Sequence, residues 1–228
     1  MIGTVVNTVL VVVGSLAGML LRKGIPENIK KIVITGLGLF TCILGGKMGF
    51  EMQRPLAVIL SLILGGIIGE LLKIEDFLED IGTKLRRFTK AQDETSFAQG
   101  FVTASLLFCV GPMTILGSLQ AGLQGKPELL FVKSLMDGVS SIILASSLGF
   151  GVIFSAFTVL IVQGGLTLLA QQFSFLVNPF YLHDFTSVGG IMIFAIGLKL
   201  LGIKLVKVAN FLPALAIVVL LIYLNGLI

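Results

Sequence analysis

The chain contains few charged residues for its length. Only 12% of its 228 residues are Asp, Glu, Lys or Arg, 56% are hydrophobic, and the mean hydropathy is +1.07. Because soluble domains carry about 25% charged residues, this composition excludes an ordinary soluble domain and predicts an all-α polytopic membrane protein. The formal net charge is +4, but the basic residues cluster in short loops between apolar runs. That distribution is typical of membrane topology and argues against nucleic acid as a partner.

Cysteine and histidine are also scarce. Cys42 and Cys109 lie inside apolar runs, without paired spacing or a neighbouring histidine, so we interpret them as small hydrophobic residues and predict no metal site. The single histidine, His183, and its neighbour Asp184 are expected in a solvated external loop. The sequence contains no zinc, haem, phosphate-loop or nucleophile-elbow pattern, which disfavours an enzyme and leaves no cofactor predicted.

Long apolar runs predict about eight transmembrane helices. A spanning helix needs about 20 mainly apolar residues, and eight segments qualify: 3–22, 31–49, 55–73, 98–120, 129–146, 149–171, 186–203 and 210–227. The fifth and sixth segments result from dividing one long apolar stretch at the SSLGFG turn, residues 146–151. The amino-terminal segment lacks a basic start and a cleavage site, so it is expected to remain as the first span.

The distribution of Lys and Arg predicts the orientation. The loops after the first, third and seventh spans hold most of the basic residues, so the positive-inside rule places them in the cytoplasm and both termini outside. Residues 74–90 show apolar positions at helical spacing, which predicts an amphipathic helix along the cytoplasmic membrane surface. The polar residues 91–100 are expected to form a linker.

A weak internal repeat relates the two ends of the chain. Four residues of the second span match four of the seventh at one sequence offset: Thr35, Gly38, Gly45 and Lys47 correspond to Ser187, Gly190, Gly197 and Lys199. Spans 1–3 thus resemble spans 6–8, with opposite membrane orientation, around a central pair 4–5. We therefore divide the chain into 1–73, 74–97, 98–146 and 147–228. Inverted repeats are common in alternating-access carriers, although small apolar helices can also match by chance.

The fifth span carries polar residues on one helical face. Lys133, Asp137, Ser140 and Ser141 have the spacing i, i+4, i+7 and i+8. A carboxylate near the bilayer centre costs roughly 2.5 to 3.5 kcal/mol, so it needs a partner or a wet cavity. Asp137 either forms a structural ion pair with Lys133 or carries a proton or a sodium ion; serine hydroxyls can supply sodium ligands.

Further candidate residues lie in the first, fourth and sixth spans. Gly111 and Pro112 fall in the middle of the fourth span, where proline should release carbonyl groups near Phe108 from helical hydrogen bonds. Thr114 and Ser118 follow at i, i+4, so the region is either a cation or small-solute site or a packed proline kink. The amides of Asn7 and Gln163 either hydrogen-bond between helices or line a solute path.

Four segments resemble a known family. They are GPMTILGSLQAGLQG (111–125), KSLMDG (133–138), GFGVIFSAFTVLIVQGGLT (149–167) and KVANFLPAL (207–215). They are similar to a bacterial membrane family called domain of unknown function 554, and the resemblance spans essentially the whole chain. It implies a bacterial inner-membrane protein and brings neither a substrate nor functional residues.

These observations favour a secondary carrier of a small polar or charged solute, working by alternating access. Coupling to protons or sodium would run through Asp137, and a chain of 228 residues is expected to work as a homodimer in the lipid bilayer. Two alternatives remain open. One is a passive ion or solute channel; the other is a non-transporting scaffold or sensor that acts through residues 74–97.

Overall fold

Every regular element in the described part of the chain is helical. A computed structural model of the chain describes residues 1–22, 26–89 and 94–225. The α-helices are α1 (Ile2–Arg22), α2 (Glu27–Gly49), α3 (Pro55–Leu71), α4 (Ile74–Thr89), α5 (Glu94–Cys109), α6 (Pro112–Gln124), α7 (Glu128–Leu148), α8 (Ser155–Leu168), α9 (Pro179–Leu200) and α10 (Leu212–Asn225). Short 3-10 segments cover Gly149–Phe154, Ser174–Val177 and Val208–Phe211. The predicted all-α fold is confirmed for these ranges.

The length and composition of the helices are those of a membrane protein. Within the described ranges, four helical segments are long and apolar enough to cross a bilayer: Ile2–Arg22, Lys31–Gly49, Glu128–Leu168 and Pro179–Leu200. Two helix pairs, α3 with α4 and α5 with α6, are bent by 54° and 56°, and six candidate spans result if each pair crosses once.

The distribution of side chains is that of a protein solvated by lipid. In α1 the buried face carries small or polar residues together with one valine: Gly3, Thr4, Asn7, Val11, Gly14, Ser15 and Gly18. The exposed face carries large apolar residues, among them Val5, Val9, Val13, Leu16 and Leu20. Because lipid is as apolar as leucine, helices in a bilayer associate through close packing of small residues and through polar contacts.

The described residues form two compact units. The first unit comprises Met1–Ile34 and Glu79–Val177, and within it α1 packs against α7. A methyl group at Gly14 would collide with the carbonyl oxygen of Gly138, and one at Gly18 with that of Ile142. The two backbones therefore touch, and since the contacts advance together along both helices, α1 and α7 are parallel.

The apolar segment Glu128–Leu168 doubles back on itself. The Asn7 amide nitrogen lies 2.9 Å from Asp137 Oδ2 on α7 and 2.8 Å from Gln163 Oε1 on α8. A straight helix would separate residues 137 and 163 by about 39 Å. The chain must therefore reverse between them, and the 3-10 segment Gly149–Phe154 is where it does so, close to the predicted turn at 146–151.

Helices α5 and α6 follow α8 along its length. A methyl group at Gly151, in the turn before α8, would collide with the backbone of Phe97 on α5. The Ser105 hydroxyl on α5 donates to the Thr158 hydroxyl at 3.0 Å. A methyl group at Gly122 on α6 would collide with the Thr167 carbonyl oxygen near the end of α8. The bent pair thus runs parallel to α8 from one end to the other. Helix α5 begins at Glu94, so residues 94–100 of the predicted linker are helical, and residues 91–93 lie outside the described ranges.

The second unit comprises Thr35–Leu78 and Asn178–Ile228. Its helices also meet at glycines, since a methyl group at Gly65 on α3 would overlap Ala214 on α10.

The expectation that His183 and Asp184 lie in a solvated loop is wrong. Helix α9 begins at Pro179 and includes both residues. Asp184 is fully buried because it accepts the backbone N–H groups of Gln53 and Arg54, at 2.7 and 2.9 Å, and pairs with the Arg54 guanidinium.

Replacing Gly149 with Ala should destabilise the first unit. Gly149 has φ +82° and ψ −149°, and a methyl group there would collide with the Arg22 guanidinium. This backbone region is essentially restricted to glycine, so we expect a cost of about 1 to 3 kcal/mol from strain alone. Thermal unfolding in detergent measures it. Gly165→Ala, in α8, where a methyl group meets no atom within 4 Å, is the control; equal stability of the two variants would contradict the expectation.

Candidate functional site

A continuous set of polar side chains connects three helices of the first unit. The Lys133 ammonium donates to Asp137 Oδ2, and the Asn7 amide nitrogen donates to the same oxygen and to Gln163 Oε1. The Gln163 amide nitrogen in turn donates to the Thr4 hydroxyl at 3.3 Å, and that hydroxyl lies 3.5 Å from the hydroxyl of Thr167. We call these six residues the polar network: Lys133, Asp137, Asn7, Gln163, Thr4 and Thr167.

The polar network is buried throughout. Asn7, Gln163 and Thr4 are 0% exposed, and Asp137 is 7% exposed. Buried polar groups cost several kcal/mol unless each finds a partner. The amide of Asn7 provides partners from α1 for both α7 and α8, so this one side chain links the three helices. Of the two predicted uses of Asn7 and Gln163, the interhelical hydrogen bond is present, and the lining of a solute path stays a prediction.

The Lys133–Asp137 pair has the geometry of a poor stabiliser. Lysine precedes the acid by four residues, which is the less favourable order along a helix. Removing both charges from water also offsets most of their attraction, so a buried pair is weak evidence for stability. The predicted ion pair is present. Its contribution to the stability of the fold does not by itself explain why two charges lie inside the unit.

One atom of the polar network has no partner among the described residues. The Asn7 carbonyl oxygen Oδ1 is buried and accepts no hydrogen bond in that part of the chain. More than about 90% of buried polar groups in proteins are paired, so an unpaired acceptor requires an explanation such as a bound water or ion. This oxygen belongs to the same amide that contacts Asp137.

A helix break lies beside the ion pair. In a continuous helix the Phe108 carbonyl would accept the N–H of residue 112, but Pro112 has none. The Thr114 hydroxyl donates to this carbonyl instead, at 2.9 Å. Gly111 is extended, with φ −75° and ψ 152°, and Pro112 opens α6. Both α5, which ends at Cys109, and α6 pack against α7, the helix that carries Lys133 and Asp137. The segment predicted as the fourth span therefore consists of two helices, α5 and α6, with a break between them.

In the described part of the chain, the candidate residues Ser118, Ser140 and Ser141 form no hydrogen bond with Asp137. The Ser141 hydroxyl donates to the Gly138 carbonyl at 2.7 Å within its own helix. Ser140 is half-buried on the same helix. The hydroxyl of Ser118 on α6 is buried and has no partner among the described residues. Thr167 was missed by sequence reasoning, although its position four residues after Gln163 placed both on one face of α8.

The second unit holds a separate buried carboxylate that sequence reasoning also missed. Glu75, at the start of α4, is 1% exposed and accepts from Lys199 Nζ at 2.8 Å and from the Ala209 backbone N–H at 2.7 Å. Nearby, Asp76 raises the pKa of Lys207 because the Lys207 ammonium donates a hydrogen bond to it. The charges of Glu75, Asp76, Lys199 and Lys207 all have partners. We therefore interpret this cluster as structural contacts that hold the start of α4 in place. In the described residues no three His, Cys, Asp or Glu side chains group as a metal site.

The fold and the buried charges define a polytopic helical membrane protein, and comparison with known sequences gives its family. Residues 2–223 match the family described as "Protein of unknown function (DUF554)", and the chain belongs to this family.

Two relatives resemble it over nearly their whole length. The "Uncharacterized membrane protein YdfK" of Bacillus subtilis (strain 168) is 34% identical over 221 residues, covering 95% of this chain and 93% of the relative. The "Uncharacterized protein YqgA" of Escherichia coli (strain K12) is 33% identical over 218 residues, covering 94% and 93%. No solved structure matches the chain.

Replacing Thr114 with Val should destabilise the helix break. Valine has nearly the same shape but leaves the buried Phe108 carbonyl without its hydrogen bond, at an expected cost of about 1 to 3 kcal/mol. Thr114→Ser keeps the hydroxyl and should recover most of that stability. Thermal unfolding of both variants in detergent measures the difference. A serine variant as unstable as the valine variant would show that the hydroxyl does not cap the break.

Proposed function

We propose that this protein is a secondary carrier of a small polar or charged solute in the bacterial inner membrane. The observation that supports this most strongly is the buried Lys133–Asp137 pair, held by Asn7 beside a broken helix. Ionisable residues inside membrane segments are expensive and typically mark ion or substrate paths. The proposed solute interacts with this pair, and Asp137 couples its movement to protons or sodium.

The discontinuous helix supports the location of the solute site. Helix α5 ends at Cys109 and α6 begins at Pro112. Irregular backbone at membrane depth is tolerated where it lines a cavity or is covered by protein, and carriers commonly bind solutes near the midplane at such breaks. A methyl group at Gly111 would meet no atom within 4 Å, so the backbone at the break is open on that one side.

The helix directions in the first unit support the topology with eight spans. Helix α1 is parallel to α7 and antiparallel to α8, and the α5–α6 pair runs beside α8 in the same direction. If α1 enters from the outside, α7 also runs inward, while α5–α6 and α8 run outward. Eight crossings with both termini outside require these directions for the first, fourth, fifth and sixth spans.

The packing of α2 against α9 supports the inverted repeat. Under the repeat, Gly38 corresponds to Gly190 and Gly45 to Gly197. A methyl group at Gly38 would lie 3.2 Å from the Gly197 carbonyl oxygen, and one at Gly45 would lie 2.6 Å from that of Gly190. Gly38 therefore contacts Gly197, the repeat equivalent of Gly45, and Gly45 contacts Gly190, the repeat equivalent of Gly38. A two-fold axis between α2 and α9 produces this reciprocal pattern. In the same unit α3 packs against α10. These helices are the third and eighth predicted spans, which also correspond under the repeat.

A thermal-shift screen of the purified protein against ions and small solutes tests the proposal. A ligand that binds only the folded state stabilises it by about 2.7 kcal/mol at a hundredfold excess over its Kd. We expect at least one solute to raise the melting temperature of the wild type and to lose this effect in Asp137→Asn, because the substitution removes the charge with little change in size.

Asp184→Asn is the matched control. It makes the same chemical change at the other buried aspartate, which holds Gln53 and Arg54 in the second unit, so it should lower stability and leave the ligand shift intact. The carrier proposal fails if no solute shifts the wild type, or if Asp137→Asn responds as the wild type does. A solute shift that is lost equally in both variants would show a general folding defect and no site at Asp137.

A further inference from the structure

Few ionisable groups lie on the described helices that surround the charges of the polar network. The side chains of Lys133 and Asp137 are 6% and 11% exposed. Of the helices around α7, α6 and α8 contain no ionisable residue. Helix α1 has the Met1 amino group before its first turn and Arg22 at its far end beside Gly149, and α5 has Glu94 at its start and Cys109 at its end. Glu128 lies on the exposed first turn of α7. A charge added to or removed from the pair therefore meets no counter-charge from α6 or α8.

Two oxygens of the network, from Asp137 and Gln163, converge on the amide nitrogen of Asn7. Asn7 Nδ2 lies 2.9 Å from Asp137 Oδ2 and 2.8 Å from Gln163 Oε1. Rotating the Asn7 amide by half a turn exchanges its nitrogen with the unpartnered Oδ1. Three oxygens from three helices then converge, which is an arrangement that repels itself without a cation and suits a hard cation.

We propose that the polar network binds a monovalent cation in exchange for one proton, so that this step is electroneutral. The inference rests on the proposed function and specifies its coupling ion. The cation takes the place of the Lys133 ammonium at Asp137, and the ammonium gives its proton to water. An ammonium and a carboxylate become a neutral amine and a carboxylate with its cation, so the charge of the site is unchanged. A divalent ion would leave an excess positive charge.

In the proposed exchange the proton comes from Lys133 because the cation takes over its carboxylate partner, Asp137. Asp137 is the acceptor of its ammonium, and removing the partner of a buried charge is strongly destabilising. Lysine can relieve this by losing a proton, since buried lysines deprotonate readily, whereas arginine remains charged at any accessible pH. The exchange therefore depends on lysine at this position and not merely on a positive charge.

Isothermal titration with LiCl, NaCl and KCl, in two buffers of different ionisation enthalpy, counts the protons released. We expect one of the three cations to bind with release of about one proton, and its apparent affinity to rise about tenfold per pH unit while the ammonium is protonated. Choline chloride controls for ionic strength. Absence of cation binding, or binding without proton release, overturns the inference.

Lys133→Arg is the sharpest variant. It preserves the positive charge beside Asp137 but cannot release a proton, so we expect cation affinity to fall at least about tenfold, a loss set by the blocked deprotonation. An arginine variant that binds the cation like the wild type contradicts the exchange. Asn7→Leu provides a second test that leaves both charges in place and removes the amide oxygen; unchanged cation affinity in this variant likewise contradicts the site.

The outcome separates this inference from the carrier proposal. If a solute stabilises the protein through Asp137 and no cation releases a proton, the exchange is wrong and the carrier stands. If neither a solute nor a cation acts through Asp137, both fail.

Discussion

The interior of the first unit is arranged around one constraint, which is that a carboxylate surrounded by apolar helices must be neutralised by the protein. Asp137 meets this constraint with the ammonium of Lys133 and the amide of Asn7. The amide in turn requires an acceptor, which Gln163 supplies, and the amide nitrogen of Gln163 then donates to Thr4. The polar residues of α1 and α8 thus follow from the charge on α7. In a bilayer, buried groups such as these depend on other protein groups for their hydrogen bonds.

Glycine is what lets this network form. The amide of Asn7 is short, so α1 must approach α7 and α8 closely for one side chain to reach both. Gly14 and Gly18 of α1 lie directly against carbonyl oxygens of α7, and any side chain at these positions would push the helices apart. Close glycine packing of α1 therefore serves the geometry of the charged pair as well as the stability of the unit.

The sequence predicts the helices well because lipid imposes a simple rule. Apolar runs of about 20 residues mark α1, α2, α7 and α9, and the helical spacing of Lys133 and Asp137 is enough to expect their contact. The break at Gly111 follows from proline chemistry, but the capping of the Phe108 carbonyl by Thr114 does not, because it depends on how α6 turns after the break.

Tertiary partners are what the sequence could not reveal. Asp184 and Glu75 look like ordinary loop and surface acids, yet both are buried because distant segments donate backbone N–H groups to them. Likewise, the link between Asn7 and Gln163 joins residues from distant parts of the chain. Such pairs require knowledge of which helices are neighbours, and hydrophobic periodicity reports only which face of a helix is buried.

The most direct measurement of the central claim is the initial rate of solute uptake into proteoliposomes, for a solute that stabilises the purified protein. A carrier built on the Lys133–Asp137 pair should show a rate that saturates with concentration, rises when the same solute is loaded inside, and disappears in Asp137→Asn while reconstitution is unchanged. A rate that grows linearly without saturation, or that survives in Asp137→Asn, would contradict a carrier working through this pair.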